Sequence, residues 1–196
     1  MVSFDYNHKK QKSKAKRKEF AVMKKLTTRK LVMSALFAAL ACVATMSIRI
    51  PIPGTQGYIH PGDAVVILCG IFLDPACAFL AAGIGSAMAD ALGGYFIYVP
   101  ITFVIKGLVA LCGSLLFRSR ISKSVKPGRI VFLCGVIDIA FVAFGYCLCE
   151  SFLYGFAVAL ASVPANLVQG VSGLIISCVL YPLLRTPFRR INSVTE

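Results

Sequence analysis

Four ionisable residues stand inside otherwise apolar stretches of the chain: Asp63, Asp90, Lys106 and Asp138. A charge at membrane depth is costly, so such residues face a cavity, a partner charge or a solute. Two side-chain amides, Asn166 and Gln169, lie three residues apart and share one helical face. Each both donates and accepts, so the pair can read the edge of a planar polar ring or bond between helices. Tyr58, Tyr95, Phe96 and Tyr98 offer flat faces, and His60 adds a polar tip near them. They suit an aromatic belt or a stacking wall for an aromatic solute. This is the chemistry of binding. Nothing matches a Walker A, HExxH or GxSxG pattern, and His8 and His60 are the two histidines. The chain is therefore not expected to be an enzyme or to hold an ATPase site, and neither cofactor nor metal is expected. Its 8 cysteines show no CxxC and no zinc spacing, and read as small hydrophobes.

The elements that hold these residues must live in a membrane. The chain has 196 residues, of which 58% are hydrophobic and 15% charged. Residues 31–48, 91–105, 139–149 and 151–184 carry no charge at all. A helix needs about 20 apolar residues to cross the hydrocarbon core. The runs are continuous rather than alternating, which favours helices over a barrel. The net charge of +13 is confined: 19 of the 21 Lys and Arg fall within Lys9–Lys30, Arg118–Arg129 and Arg185–Arg190. Clusters between apolar runs mark cytoplasmic segments rather than a nucleic-acid surface.

This predicts an all-α bundle of six transmembrane helices with both termini cytoplasmic. Helix 1 spans about 28–48 and stops at Pro51-Ile52-Pro53-Gly54. Residues 62–92 admit one span or two. Two spans, 62–73 and 75–92 divided at Asp74-Pro75, put all three basic clusters on one side. The first of these is too short to cross, so its outer end must meet protein or a water-filled cavity. Helix 4 is expected over 98–117, helix 5 over 130–149 and helix 6 over 163–184, with an outer connection at 150–162 that is itself apolar and open to helix. Asp90 and Lys106 then face each other across a short hairpin, to neutralise one another or to meet a solute. Ala81, Gly85, Ala89 and Gly93 form a smooth stripe that predicts an interior place for helix 3. Ala35 and Ala39, one turn apart, allow close helix contact, either within the chain or with a partner. Residues 1–27 form a basic tail, expected to be disordered and cytoplasmic; Met23-Lys24-Lys25 is an ordinary membrane-protein start, and translation is expected to begin there. Residues 186–196 form a second cytoplasmic tail.

Four blocks carry a resemblance: Gly57-Tyr58-Ile59-His60-Pro61-Gly62-Asp63-Ala64, Gly83-Ile84-Gly85-Ser86-Ala87-Met88-Ala89-Asp90, Gly93-Gly94-Tyr95-Phe96-Ile97-Tyr98-Val99-Pro100 and Phe103-Val104-Ile105-Lys106-Gly107. Over about residues 24–185 the chain resembles the substrate-binding S components of energy-coupling factor (ECF) transporters, in the hydroxymethylpyrimidine, pyridoxine and riboflavin branch. The C-terminal half rests on Pro164, Asn166, Gln169 and Gly173. The resemblance implies an outward-facing vitamin pocket closed by the loop Ile50–Pro61. It implies partners too: a transmembrane coupling protein, contacted through Ala35 and Ala39, and two ATPases. Tyr58, His60, Asp90, Tyr98, Lys106, Asn166 and Gln169 are the expected substrate contacts, in a multi-pass protein of the bacterial cytoplasmic membrane. A stand-alone secondary transporter or channel is the alternative; it would need an ion-coupling site or an internal repeat.

Overall fold

The structure is a computed structural model describing residues 28–52, 54–55, 57–119 and 124–193, with side chains as far as Phe188. The expected tail over 1–27 and the start at Met23 lie outside the described residues. Six helices are described: α1 (Thr28–Ser47), α2 (Asp63–Phe72), α3 (Pro75–Gly93), α4 (Tyr98–Arg118), α5 (Pro127–Tyr154) and α6 (Phe156–Ser193). Five are long and apolar enough to cross a membrane, whereas α2 has only 10 residues. The short helix at this place was the expected one. Asp74 ends it in an extended conformation and Pro75 opens α3, a position where its missing N–H costs nothing.

The chain divides into two compact units, residues 1–33 and 34–196. In the first, the described part is the opening of α1, helical, with Leu31 and Val32 exposed. In the second, α4 packs against α2, α3 and α5, and α5 packs along α6. Ala81, Gly85 and Ala89 of the α3 stripe are buried and Gly93 half-buried, as expected for an interior helix. The outward faces are apolar: Phe144 and Phe152 are 78% and 85% exposed. Surfaces of that kind are stable against hydrocarbon rather than water.

The last two helices run beyond their expected bounds. The apolar connection at 150–162 is helix almost throughout, the form left open for it, because no Pro or polar run interrupts it before Pro164. One residue, Gly155, makes the whole turn at φ +90° and ψ 156°, a conformation open essentially to glycine alone. In addition α6 runs on past Arg185 to Ser193. Its 38 residues span about 57 Å, more than a hydrocarbon core of about 30 Å.

Between α1 and α2 the chain forms a hairpin. Strands β1 (Ile50–Pro51) and β2 (Tyr58–Ile59) pair antiparallel, with Ile50 opposite Ile59 and Pro51 opposite Tyr58. Side chains alternate across a strand, so Tyr58 and His60 turn inward together while Ile59 stays half-exposed.

Candidate solute-binding site

The hairpin lies over a cavity of about 330 Å³, its mouth included. Helical periodicity builds the walls. On α4, Tyr98, Thr102 and Lys106 recur every four residues and share a face. On α5, Asp138, Val142, Tyr146 and Glu150 do the same. The upper members of each stripe line the cavity: Tyr98 and Thr102 from α4, Tyr146 and Glu150 from α5. Asp90 enters from the end of α3, Asn166 and Gln169 from α6, and Tyr58 and His60 from the hairpin. Six of the seven expected substrate contacts therefore line one cavity. The seventh, Lys106, lies one turn deeper and is fully buried.

Most polar groups here are held in place. The Tyr58 hydroxyl donates to Asp90 Oδ1 at 2.6 Å, and that of Tyr98 donates to Glu150 Oε1 at 2.9 Å. Ser162 Oγ donates to the other oxygen of Glu150, and Thr102 and Tyr146 share a hydrogen bond of 2.9 Å. Among the described residues Asp90 Oδ2 is buried without a hydrogen-bond partner. Outside the hairpin, the Arg49 guanidinium sits 5.1 Å from the Tyr58 ring centroid and 5.8 Å from that of Tyr95, and donates to the Ala89 carbonyl. This cation–π contact ties the end of α1 to the lid and to α3.

The floor is a buried ion pair. Lys106 Nζ donates to Asp63 Oδ1, and both side chains are inaccessible to solvent. The partner expected for Lys106 was Asp90, nearer in sequence. Lys106 and Asp90 stand at different depths, and Asp63 opens α2 at the level of Lys106. Gly173 makes this arrangement possible: a methyl group there would come within 2.7 Å of Asp63 Cβ. Gln169 joins floor to lid. Its Nε2 donates to Asp63 Oδ2 at 3.0 Å, and its Oε1 accepts the His60 backbone N–H at 3.2 Å. Asn166 and Gln169 both line the cavity, but both ends of the Gln169 amide are occupied by the protein itself. Asp138, one turn below Val142, is fully buried, and neither of its oxygens has a hydrogen-bond partner; its nearby charges are Asp63 and Lys106.

The lid residues are perturbed by their burial. His60 is pushed down to about 4, first by desolvation and then by Lys106 and Arg49, against the pull of Asp63. It is neutral at ordinary pH, and its Nδ1 accepts the Gly62 N–H at 3.1 Å. The Tyr58 phenol is raised by burial and by its bond to Asp90. Both rings pack together, with centroids 5.4 Å apart, and Tyr95 lies 4.6 Å from Tyr58.

Three lining residues escaped the sequence reading: Thr102, Tyr146 and Glu150. Glu150 carried a signal, as a single charge between two uncharged runs, but it was assigned to a connection. Thr102 and Tyr146 are legible only once Tyr98 and Glu150 define their stripes. Ala35 and Ala39 lie far from the cavity and are exposed on α1, whose buried side is Phe37 and Ala41. Among the described residues no group of three His, Cys, Asp or Glu gathers to hold a metal.

A bundle of apolar helices with a polar, aromatic cavity under a hairpin at one end defines a membrane protein that binds a small solute. Comparison with known proteins gives the family. The model of the ECF-type riboflavin transporter S component matches residues 25–186, and the chain belongs to this family. It is a substrate-binding subunit of a vitamin or vitamin-precursor transporter, and S components as a class associate with a module of transmembrane and ATPase subunits. An uncharacterized protein encoded in the gap 3′ region of Pyrococcus woesei is 34% identical over 159 residues, covering 79% of this chain and 98% of that protein. The thiamine precursor transporter HmpT of Lactococcus lactis subsp. cremoris is 26% identical over 157 residues, covering 80% and 87%.

Proposed function

We propose that the chain captures a heteroaromatic B-type vitamin or precursor from outside the cell and hands it to an ECF module of one coupling protein and two ATPases. The candidates are pyridoxine, hydroxymethylpyrimidine and riboflavin. The observation that carries the reading is the convergence of Tyr58, Tyr98, Tyr146, Asp90, Asn166 and Gln169 on one cavity under the hairpin. Aromatic faces take the ring, and the amides and carboxyls take its polar edge.

In this reading the protein spans the cytoplasmic membrane six times with both ends inside, and α2 closes the pocket from below rather than crossing fully. Lys106 contributes through Asp63 and Gln169 rather than by touching the solute. Ala35 and Ala39 dock the coupling protein. Their exposure supports this, since a stripe of small side chains facing outward leaves room for a second helix to approach. ATP hydrolysis in the partners supplies the energy. Uptake by reconstituted vesicles tests the partnership: vitamin accumulation is expected only with the module and ATP present. Accumulation by the chain alone would instead favour a stand-alone transporter.

A further inference from the structure

The cavity has an unbalanced charge. Two carboxyls line it, Asp90 from α3 and Glu150 from α5, and they are 4% and 1% exposed. Among the described residues no Lys or Arg lines it. The nearest cations are engaged elsewhere: Lys106 on Asp63 beneath, and Arg49 on the outer side, stacked over Tyr58 and Tyr95 and bonded to the Ala89 carbonyl. His60, the remaining titratable base of the lid, is neutral near pH 7. The Glu150 oxygens already accept from Tyr98 and Ser162. Asp90 has one oxygen held by Tyr58, while the other is buried and makes no hydrogen bond among the described residues; the nearby Thr102 hydroxyl is paired with Tyr146. A buried acceptor of this kind is costly until a donor arrives.

We infer that the substrate is a heteroaromatic bearing an amino or ammonium group, with Asp90 Oδ2 accepting its N–H and Glu150 supplying the second acidic group. The inference rests on reading this cavity as the substrate site and narrows what it admits. A neutral hydroxyl on the same ring would offer a hydrogen bond but no charge. In a low-dielectric cavity that difference discriminates strongly, because attraction between charges is far less screened than in water. The aromatic walls act with the acids: the Tyr58, Tyr98 and Tyr146 faces favour a flat cation over an aliphatic amine of equal charge.

Matched pairs of probes test this on the purified full-length protein. Pyridoxamine and pyridoxine differ by an aminomethyl for a hydroxymethyl group, and 4-amino-5-hydroxymethyl-2-methylpyrimidine differs from its 4-oxo counterpart by one amino group. Equilibrium dialysis at pH 7 is expected to show the amine of at least one pair binding about tenfold or more tighter than its partner. Asp90→Asn and Glu150→Gln should shrink that preference toward unity while keeping the Tyr58 and Tyr98 hydroxyls supplied with an acceptor. Equal or weaker binding of both amines, with any of the four compounds or riboflavin bound, would overturn the inference and leave the vitamin-binding reading standing. No binding by any of the five would overturn both. The wild-type comparison needs no variant to fold, so the outcome does not depend on the stability of the substituted proteins.

Discussion

Lys106 is neutralised by Asp63, a residue 43 positions earlier that opens the short helix α2. The pair is sealed from solvent, and Gln169 occupies the second carboxylate oxygen. A lone buried charge in this place would be far more costly than the pair, because water does not reach it. Lys106→Met or Asp63→Leu alone should therefore destabilise the fold by about 3–5 kcal/mol, and the double substitution should recover most of the loss. Thermal unfolding of the four proteins in detergent measures the coupling. Additive losses would mean that the two charges do not rely on each other.

Gln169 connects that ion pair to the lid, and its two ends predict two separate effects. Gln169→Leu leaves the His60 N–H and Asp63 Oδ2 without partners, each costing about 1–3 kcal/mol. Hydrogen exchange at the His60 amide should accelerate before that of the α4 and α5 interior, because the lid loses an anchor while the helices keep theirs. Unchanged exchange at His60 would show that the hairpin is held by Arg49 and Tyr58 alone.

Acid should loosen the lid. In the fold His60 stays neutral down to about 4, whereas an unfolded His takes its proton near 6.5. The neutral form is favoured by folding, so its stabilisation is fully present above 6.5 and is lost as pH falls toward 4. The loss over this window is on the order of 3 kcal/mol, because His60 is buried. Melting temperatures between pH 7 and pH 4 should fall more steeply for the wild type than for His60→Asn, which keeps an acceptor for the Gly62 N–H but cannot titrate. Parallel curves would place the acid sensitivity elsewhere.

The exposed stripe on α1 predicts a separation of binding from transport. Ala39→Trp fills the room that a second helix needs, yet it touches nothing that lines the cavity. Substrate affinity of the isolated protein should be unchanged, while copurification with an ECF module and ATP-driven uptake should be lost. Retained copurification would move the docking surface to another face.

Much of this was legible from residue types and spacing. Charge parity and Asp74-Pro75 located α2, and the amide pair, the two tyrosines, His60 and Asp90 all reached the cavity. The partner of Lys106 was not legible. Sequence proximity favoured Asp90, but the contact is set by depth: Lys106 lies two turns into α4, while Asp90 ends α3 beside the lid. Glu150 was misplaced for a related reason. Uncharged residues on both sides hid the continuation of α5, and the sole turn signal, Gly155, is one residue long. Such a turn leaves no polar run to mark it.

The central claim is that the cavity beneath the hairpin binds one heteroaromatic vitamin or precursor. Native mass spectrometry of the purified protein, incubated with a panel of such compounds, reads this most directly. The account predicts a single adduct of one-to-one stoichiometry with one compound of the panel, abolished by Asn166→Leu and retained by Ala39→Trp. Absence of any adduct, or an adduct that Asn166→Leu leaves intact, would contradict it.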